Sequence, residues 1–360
     1  MLKRLIQLKN SRMRFAVGLE QNTRMPILYG LAFLCVLCLS ACHESQHLRL
    51  QGEAQGTTWQ VDITQANQAL DKQQLQQGLE GILQGIDQQM STWRSDSELS
   101  QFNQTQSTDW FPVSPDLYQV LAIAQQVSTD TEGAFDVTVA PLMRLWGFAQ
   151  SDSLAHKPSE AAIQAALQQV GYQKLQLQAQ PRAMIRKQIS TLQVDVAGIA
   201  QGYTVDRLAD YLEQQGIQHY LVELGGELRA KGFNSQQKIW RIAIEKPTER
   251  LQQAQQGIAL HDAALTTSGD YRDFFEAQGK HYSHTIEPQT GHAVSHSLAS
   301  VSVVAKNAVT ADAYDTALMA MGDKAQYFAE QRQLAAYFIW RTDQGFQTYA
   351  TPAMQRYLLP

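Results

Sequence analysis

Cysteine is almost missing from this chain. Of its 360 residues three are Cys, at positions 35, 38 and 42, and there are none beyond. Residues 43–360 therefore make no disulfide and offer no thiolate to a metal. Positive charge is scarce as well. Lys and Arg number 29 against 34 Asp and Glu, for a net charge of −5. Six of those basic residues sit within residues 1–41 beside a single acid, Glu20, so the remainder is more acidic still. That argues against nucleic acid as a partner, which needs basic patches. Neither a G-x-G-x-x-G fingerprint nor a Gly-Lys-Ser/Thr phosphate loop occurs, so two familiar nucleotide-binding signatures are excluded. Charged residues reach only 18% because Gln carries much of the polar surface. Gln alternates with Leu, Ile and Val at helical and strand spacing, which marks folded elements.

Only one stretch reads as a long apolar run. Pro26–Ala41 is short for a membrane span, which takes about 20 residues. It comes after a basic leader of Lys3, Arg4, Lys9, Arg12, Arg14 and Arg24, the layout of a signal peptide. It closes on Leu39-Ser40-Ala41-Cys42, which resembles the lipobox of bacterial lipoproteins, with Cys42 as the lipidated first residue after cleavage. A short uncleaved anchor is the plain alternative. The length of the leader points to a start at Met13 or Met25. The sequence thus predicts a signal peptide over 1–41, a lipidated polar tether over 42–54 and one domain over 55–358. The expected location is the periplasmic side of a bacterial membrane, inner or outer.

Within the domain, alternation predicts a strand over 56–63, and further strands are read over 174–178, 186–196, 220–224, 240–244, 257–265 and 300–305, with a terminal hairpin over 335–341 and 346–350. Three- and four-residue apolar steps predict helices over 70–90, 117–129, 159–169, 202–215 and 311–321. Helices and strands mix without regular alternation, which points to α+β with mixed, largely antiparallel sheets and flanking helices.

Four constellations carry chemistry. Asp312 and Thr316 stand four apart on a predicted helix, so a carboxylate and a hydroxyl share one face. Two hard oxygens there suit Mg²⁺ or Ca²⁺; equally, Thr310 or Asp312 could cap the helix with Thr316 facing solvent. Thr266-Thr267-Ser268-Gly269-Asp270 offers hydroxyls and backbone N–H groups to phosphate, or forms a hydrogen-bonded turn. His284 alternates with Tyr282 and Ile286 and reads as a general base or as a core His. Val194 to Asp206 runs from a strand through a Gly-containing loop into a helix, which lets a ligand approach backbone at the helix start.

Their order and combination resemble the ApbE family of FAD:protein FMN transferases. The resemblance rests on Gly56-Thr57-Thr58-Trp59, Ser91-Thr92-Trp93 with Ser97-Glu98-Leu99-Ser100 and Phe102-Asn103, and Gly133 to Thr138 with Pro141-Leu142 and Leu145 to Phe148. It continues through Gly225-Gly226, Thr267-Ser268-Gly269-Asp270-Tyr271, Ser283 to Gly291, and Ala311-Asp312-Ala313 with Thr316. The resemblance implies a T-fold-like architecture and a periplasmic, often lipidated enzyme. It implies FAD as substrate, Mg²⁺ as cofactor, transfer of FMN to a Thr or Ser of a partner protein and release of AMP. It implies as partners the periplasm-facing acceptor domains of membrane electron-transport complexes. Carried over, the metal ligands would be Asp312, Thr316 and the backbone carbonyl of Thr204. The flavin nucleotide site would draw on Gln55, Trp93, Ala134, Phe135, Asp136, Gln201, Thr267, Ser268, Gly269, Asp270, His284 and Ile286, with His284 as base. Gln201 stands where many members carry Lys, Thr204 where Ala is usual, Glu287 where Asp is commoner and Gln55 where an apolar residue is usual. Two other readings fit the same residues: an FAD pyrophosphatase yielding FMN and AMP, and a lipoprotein that binds flavin without turning it over.

Overall fold

The computed structural model describes residues 47–65, 70–148, 157–248, 253–271, 274–277 and 280–360. The apolar segment with Cys35, Cys38 and Cys42, the residue expected to carry lipid, lies outside them. The strands are β1 (Leu48–Ala54), β2 (Thr57–Gln65), β3 (Phe111–Pro112), β4 (Leu175–Gln178), β5 (Met184–Lys187), β6 (His219–Leu224), β7 (Glu227–Lys231), β8 (Trp240–Glu245), β9 (Ala254–Leu260), β10 (Ala263–Gly269), β11 (Phe274–Ala277), β12 (Lys280–Ser283), β13 (Leu298–Ala305), β14 (Ala335–Thr342) and β15 (Gly345–Ala350). The helices are α1 (Lys72–Met90), α2 (Glu98–Gln104), α3 (Pro115–Asp130), α4 (Ala140–Trp146), α5 (Glu160–Leu167), α6 (Ala197–Gln214), α7 (Ala308–Met321) and α8 (Ala325–Gln331).

The frame is an eight-stranded sheet ordered β1-β2-β6-β7-β10-β13-β14-β15. Every pair in it is antiparallel, so the α+β expectation holds. β6 shows why: Tyr220, Val222 and Leu224 are buried while His219, Leu221 and Glu223 are half-buried, the period of a strand with two unlike faces. β13 instead is buried at seven of its eight positions, as a central strand covered on both sides must be. On one face α1 and α6 pack over Val61, Ile63 and Val222, and α7 and α8 over Val301, Val303 and Phe338. The other face is covered by the β8–β9 hairpin, through Trp240, Ile244, Ile258 and Leu260. A small sheet ordered β3-β5-β4 closes a further core with α2 and α3. Among the described residues no helix is long and apolar enough to cross a membrane.

Three expectations change. The polar tether ends early: Leu48–Ala54 forms edge strand β1, paired with β2 from Leu48↔Ile63 to Ala54↔Thr57. Arg49, Gln51 and Glu53 are exposed while Leu48, Leu50, Gly52 and Ala54 are half-buried or buried, the period of an edge strand. The strand expected over 186–196 stops at Lys187. Beyond it the Asn103 side chain donates to the Val194 carbonyl and accepts from the Val194 N–H, each at 2.8 Å, doing the work of a partner strand. The strand expected over 257–265 divides at Asp262, whose φ of 48° turns the chain from β9 into β10.

Candidate active site

Helices α6 and α7 meet where the chain lacks a side chain. A Cβ at Gly202 would stand 2.5 Å from the Ala308 carbonyl oxygen and 2.7 Å from the Asp312 Cβ, so only glycine permits this contact. Across it the Gly202 N–H donates to Asp312 Oδ2 at 2.8 Å. Helix α7 starts at Ala308 with Asn307 before it, so Asp312 lies in its second turn. The reading of Asp312 as a cap is therefore set aside: it is buried inside the crossing. Thr316, one turn on, donates a long 3.5 Å contact to the Gly198 carbonyl. Gly198 has non-helical φ/ψ of −81° and 20° at a kink near the start of α6, which turns its carbonyl out of the regular ladder.

Gly198, Asp312 and Thr316 line a cavity of about 510 Å³ together with Ala134, Phe135, Asp136, Gln201, Thr267, Ser268, Gly269, His284 and Ile286. A second cavity of about 960 Å³ takes in Gln55 and Trp93. Asp195, Ala197, Gln201 and His284 line both, so the two spaces meet at the head of α6. Sequence segments far apart thus converge as the resemblance implies.

Three predicted residues take other roles. Thr204 lies in neither cavity lining. It is fully buried in α6, its hydroxyl donates to the Ala200 carbonyl at 2.7 Å, and it accepts from Gln55 Nε2 at 2.8 Å. In mid-helix its carbonyl is directed at the N–H four residues on. The carbonyl that Thr316 contacts is that of Gly198, at the kink. Asp270 is likewise off the cavity wall and forms a two-pronged ion pair with Arg341 of β14, at 2.5 and 2.6 Å. Asp136 lines the cavity, but its carboxylate is engaged by the chain: Oδ1 accepts from the Thr138 N–H and hydroxyl at 2.7 and 2.6 Å, and Oδ2 from the Tyr172 N–H at 2.8 Å. It shapes the Gly133–Thr138 turn. Thr267 and Ser268 belong to strand β10 and not to a turn, with Thr267 Oγ1 2.7 Å from Ser302 Oγ across the ladder. His284 lies just past β12, half-buried, and Trp93 is 72% exposed at the rim.

Reading the sequence missed Glu227 and Asp315. Both line the first cavity and are buried, and Glu227 Oε2 and Asp315 Oδ2 lack a hydrogen-bond partner. Burial, then the neighbouring Asp312 charge, holds both carboxyls well above the ordinary range. Burial also raises Asp312 to about 7. The signal for Asp315 was present: residues 312, 315 and 316 share one helix face. Three carboxyl groups, two of them with an oxygen that meets no hydrogen-bond donor, face the cavity as hard-oxygen donors, so the residues fit Mg²⁺. Among the described residues no three His, Cys, Asp or Glu side chains converge on one metal position. An ion here would take its remaining ligands from phosphate and water, as Mg²⁺ commonly does.

The chain is similar to known proteins over most of its length. The model of the ApbE family matches residues 55–338. A Haemophilus influenzae protein named FAD:protein FMN transferase is 40% identical over 332 residues, which is 91% of this chain and 96% of that one. A Vibrio cholerae protein of the same name is 39% identical over 329 residues, 91% and 98% of the two chains. Among solved structures, a variant of the flavin transferase ApbE from Vibrio cholerae superposes with a TM-score of 0.80 at 39% identity, covering 87% of this chain and 100% of that one. The Pseudomonas stutzeri flavinyl transferase ApbE in its apo form gives 0.80 at 38%, covering 86% and 96%.

Proposed function

The chain belongs to the ApbE family, and from that premise we propose that it transfers FMN from FAD to a Thr or Ser hydroxyl of a partner protein and releases AMP, with Mg²⁺ at the α6–α7 crossing. The observation that carries this reading is the convergence of Asp312, Thr316 and the Gly198 carbonyl on one wall of a cavity that meets a second cavity at His284. Two joined spaces suit a dinucleotide, with its pyrophosphate near their junction.

The chemistry comes from the residues. Asp312, Thr316 and the Gly198 carbonyl would hold the ion, which supplies positive charge to the pyrophosphate oxygens. Thr267 and Ser268 offer further polar contacts from β10. His284 accepts the proton of the attacking hydroxyl. The new bond joins the acceptor oxygen to the FMN phosphorus, and the bond from that phosphorus to the bridging oxygen breaks. AMP departs as a phosphate that needs no proton, so no strong general acid is required. Trp93 stacks on a ring at the rim.

The deciding experiment mixes the protein with FAD, Mg²⁺ and acceptor domains of membrane flavin-linked electron-transport complexes. A covalent FMN on a Thr, with AMP in equal amount, is expected. Free FMN and AMP without acceptor would favour the pyrophosphatase reading, and tight FAD retention without AMP would favour a flavin carrier. His284→Ala should retain FAD binding and lose about 10²–10⁴-fold in transfer rate; near-normal labelling would remove His284 as the base. For location we propose the periplasmic face of a membrane, anchored by lipid on Cys42, on the strength of Leu39-Ser40-Ala41-Cys42. Incorporation of labelled palmitate that persists in Cys42→Ser would refute it.

A further inference from the structure

Helix α7 carries Asp312, Asp315 and Thr316, yet the residue before it does not cap it: Asn307 makes no side-chain bond to the first turn. Free N–H groups at a helix start need acceptors. They find them on another helix. Asp206 of α6 accepts from the Ala308 N–H through Oδ1 at 3.0 Å and from the Val309 N–H through Oδ2 at 2.9 Å. One turn back on α6, the Gly202 N–H donates to Asp312 Oδ2. Gly202 and Asp206 are four apart, as are Ala308 and Asp312, so each pair shares a helix face. The two helices are stapled twice, each giving a carboxylate to backbone of the other. Arg229 of β7 holds Asp206 in place, with Nη1 2.9 Å from Oδ1.

Resting on the cation reading above, we propose that Asp206 is the positioning residue of the cation site, fixing the height of α7 against α6 and hence the distance from Thr316 and Asp312 to the Gly198 carbonyl. Asp206 lines neither cavity, so it touches neither ion nor nucleotide and acts only through α7. Loss of its two backbone contacts frees α7 to slide while the opposing Gly202–Ala308 contact remains. A shift of a fraction of an ångström there is enough to spoil a small octahedral ion, which tolerates little distortion, and matters less to the extended contacts of a dinucleotide.

The test uses the full chain in detergent, with Mn²⁺ as a spectroscopically visible probe and FAD present. Asp206→Ala should weaken Mn²⁺ binding by about 10- to 100-fold, the range for loss of an orienting partner. Asp206→Asn, which keeps one acceptor oxygen, should fall between it and the unchanged protein. FAD affinity measured without metal should stay within about twofold, and excess Mg²⁺ should restore kcat. Asp210→Asn, which also contacts Arg229 but not α7, should bind Mn²⁺ normally. If Asp206→Ala does not fold, Arg229→Met removes the counter-charge alone and should weaken Mn²⁺ binding by a smaller factor. Unchanged Mn²⁺ affinity in Asp206→Ala, or in Arg229→Met where that variant stands in, overturns the assignment while leaving the transferase reading intact. An equal loss of metal-free FAD binding also overturns it, since that marks general collapse of the site. If the unaltered protein binds no Mn²⁺, the cation reading falls and this assignment with it.

Discussion

Charge is buried in two regions of this protein, and they are answered differently. Lys187 is 1% exposed. Its Nζ donates to the carbonyls of Asn103 and Thr105 at 3.1 and 2.8 Å and lies 5.0 Å from the centre of the Phe102 ring. Those carbonyls close α2, where a helix has acceptors to spare. The cavity wall has Glu227, Asp312 and Asp315, and two of its oxygens meet nothing. One buried charge is satisfied by the chain that buries it. In the other region, Glu227 Oε2 and Asp315 Oδ2 find no partner in the chain that buries them. The first arrangement belongs to folding and the second to function.

Substitutions can break or sharpen that contrast. Asp312→Ala should have the largest effect, lowering Mg²⁺-dependent FMN transfer by about 10²–10³-fold and costing about 1–3 kcal/mol of stability as the buried Gly202 N–H loses its acceptor. Unimpaired transfer would break the contrast at its functional end. Lys187→Met should leave transfer normal and cost about 1–3 kcal/mol as two carbonyls lose their donor. Its pH dependence sharpens the point. Burial lowers the Lys187 ammonium from 10.5 to about 8. Below pH 8 both folded and unfolded forms are protonated and the burial penalty is complete. Between about 8 and 10.5 the unfolded form holds more protons, so stability should rise with pH in that window. Urea melts of Lys187→Met should lack the rise, and an unchanged slope would show that another group causes it. The smallest effect is expected of Trp93→Ala at the exposed rim. It should raise the KM for FAD by a few-fold, about 0.5–1.5 kcal/mol of ring contact, with no change in melting temperature; a large stability loss would mean that Trp93 packs more than its exposure implies.

Much of this was legible in the residues, for reasons that differ by place. Helix α6 and strand β6 show in the periodicity because each has one buried and one wetter face. Strand β14 shows instead as an apolar run, buried at its first five positions. Strand β1 alternates over Leu48–Ala54, but its short, mostly polar run follows directly on a polar segment and so reads as tether. The break after Lys187 was hidden because Asn103, far away in sequence, supplies the missing ladder bonds. At the site, motif order named segments that the fold brings to the two cavities. It could not say that a kink turns out the Gly198 carbonyl while Thr204 stays sealed in the helix, nor that Asp270 pairs with Arg341. Those are choices between residues a few positions apart, settled by contacts with strands and helices remote in the chain. Glu227 stands just after the Gly225-Gly226 turn at the start of β7 and looks like any charged strand end until the sheet buries it.

The double staple between α6 and α7 also sets where this chain tolerates changes of length. Partners lie 102 and 110 residues apart, so loops between them can lengthen or shorten without moving either helix. A single residue inserted between Gly202 and Asp206, or between Ala308 and Asp312, rotates the remainder of that helix by about 100° and turns one carboxylate away from its backbone partner. Insertions in the exposed Asn234–Lys238 turn should be nearly silent, while one added residue in either four-residue step should uncouple the helices. The spacing within each helix, more than the distance between them in sequence, is the quantity the fold holds constant.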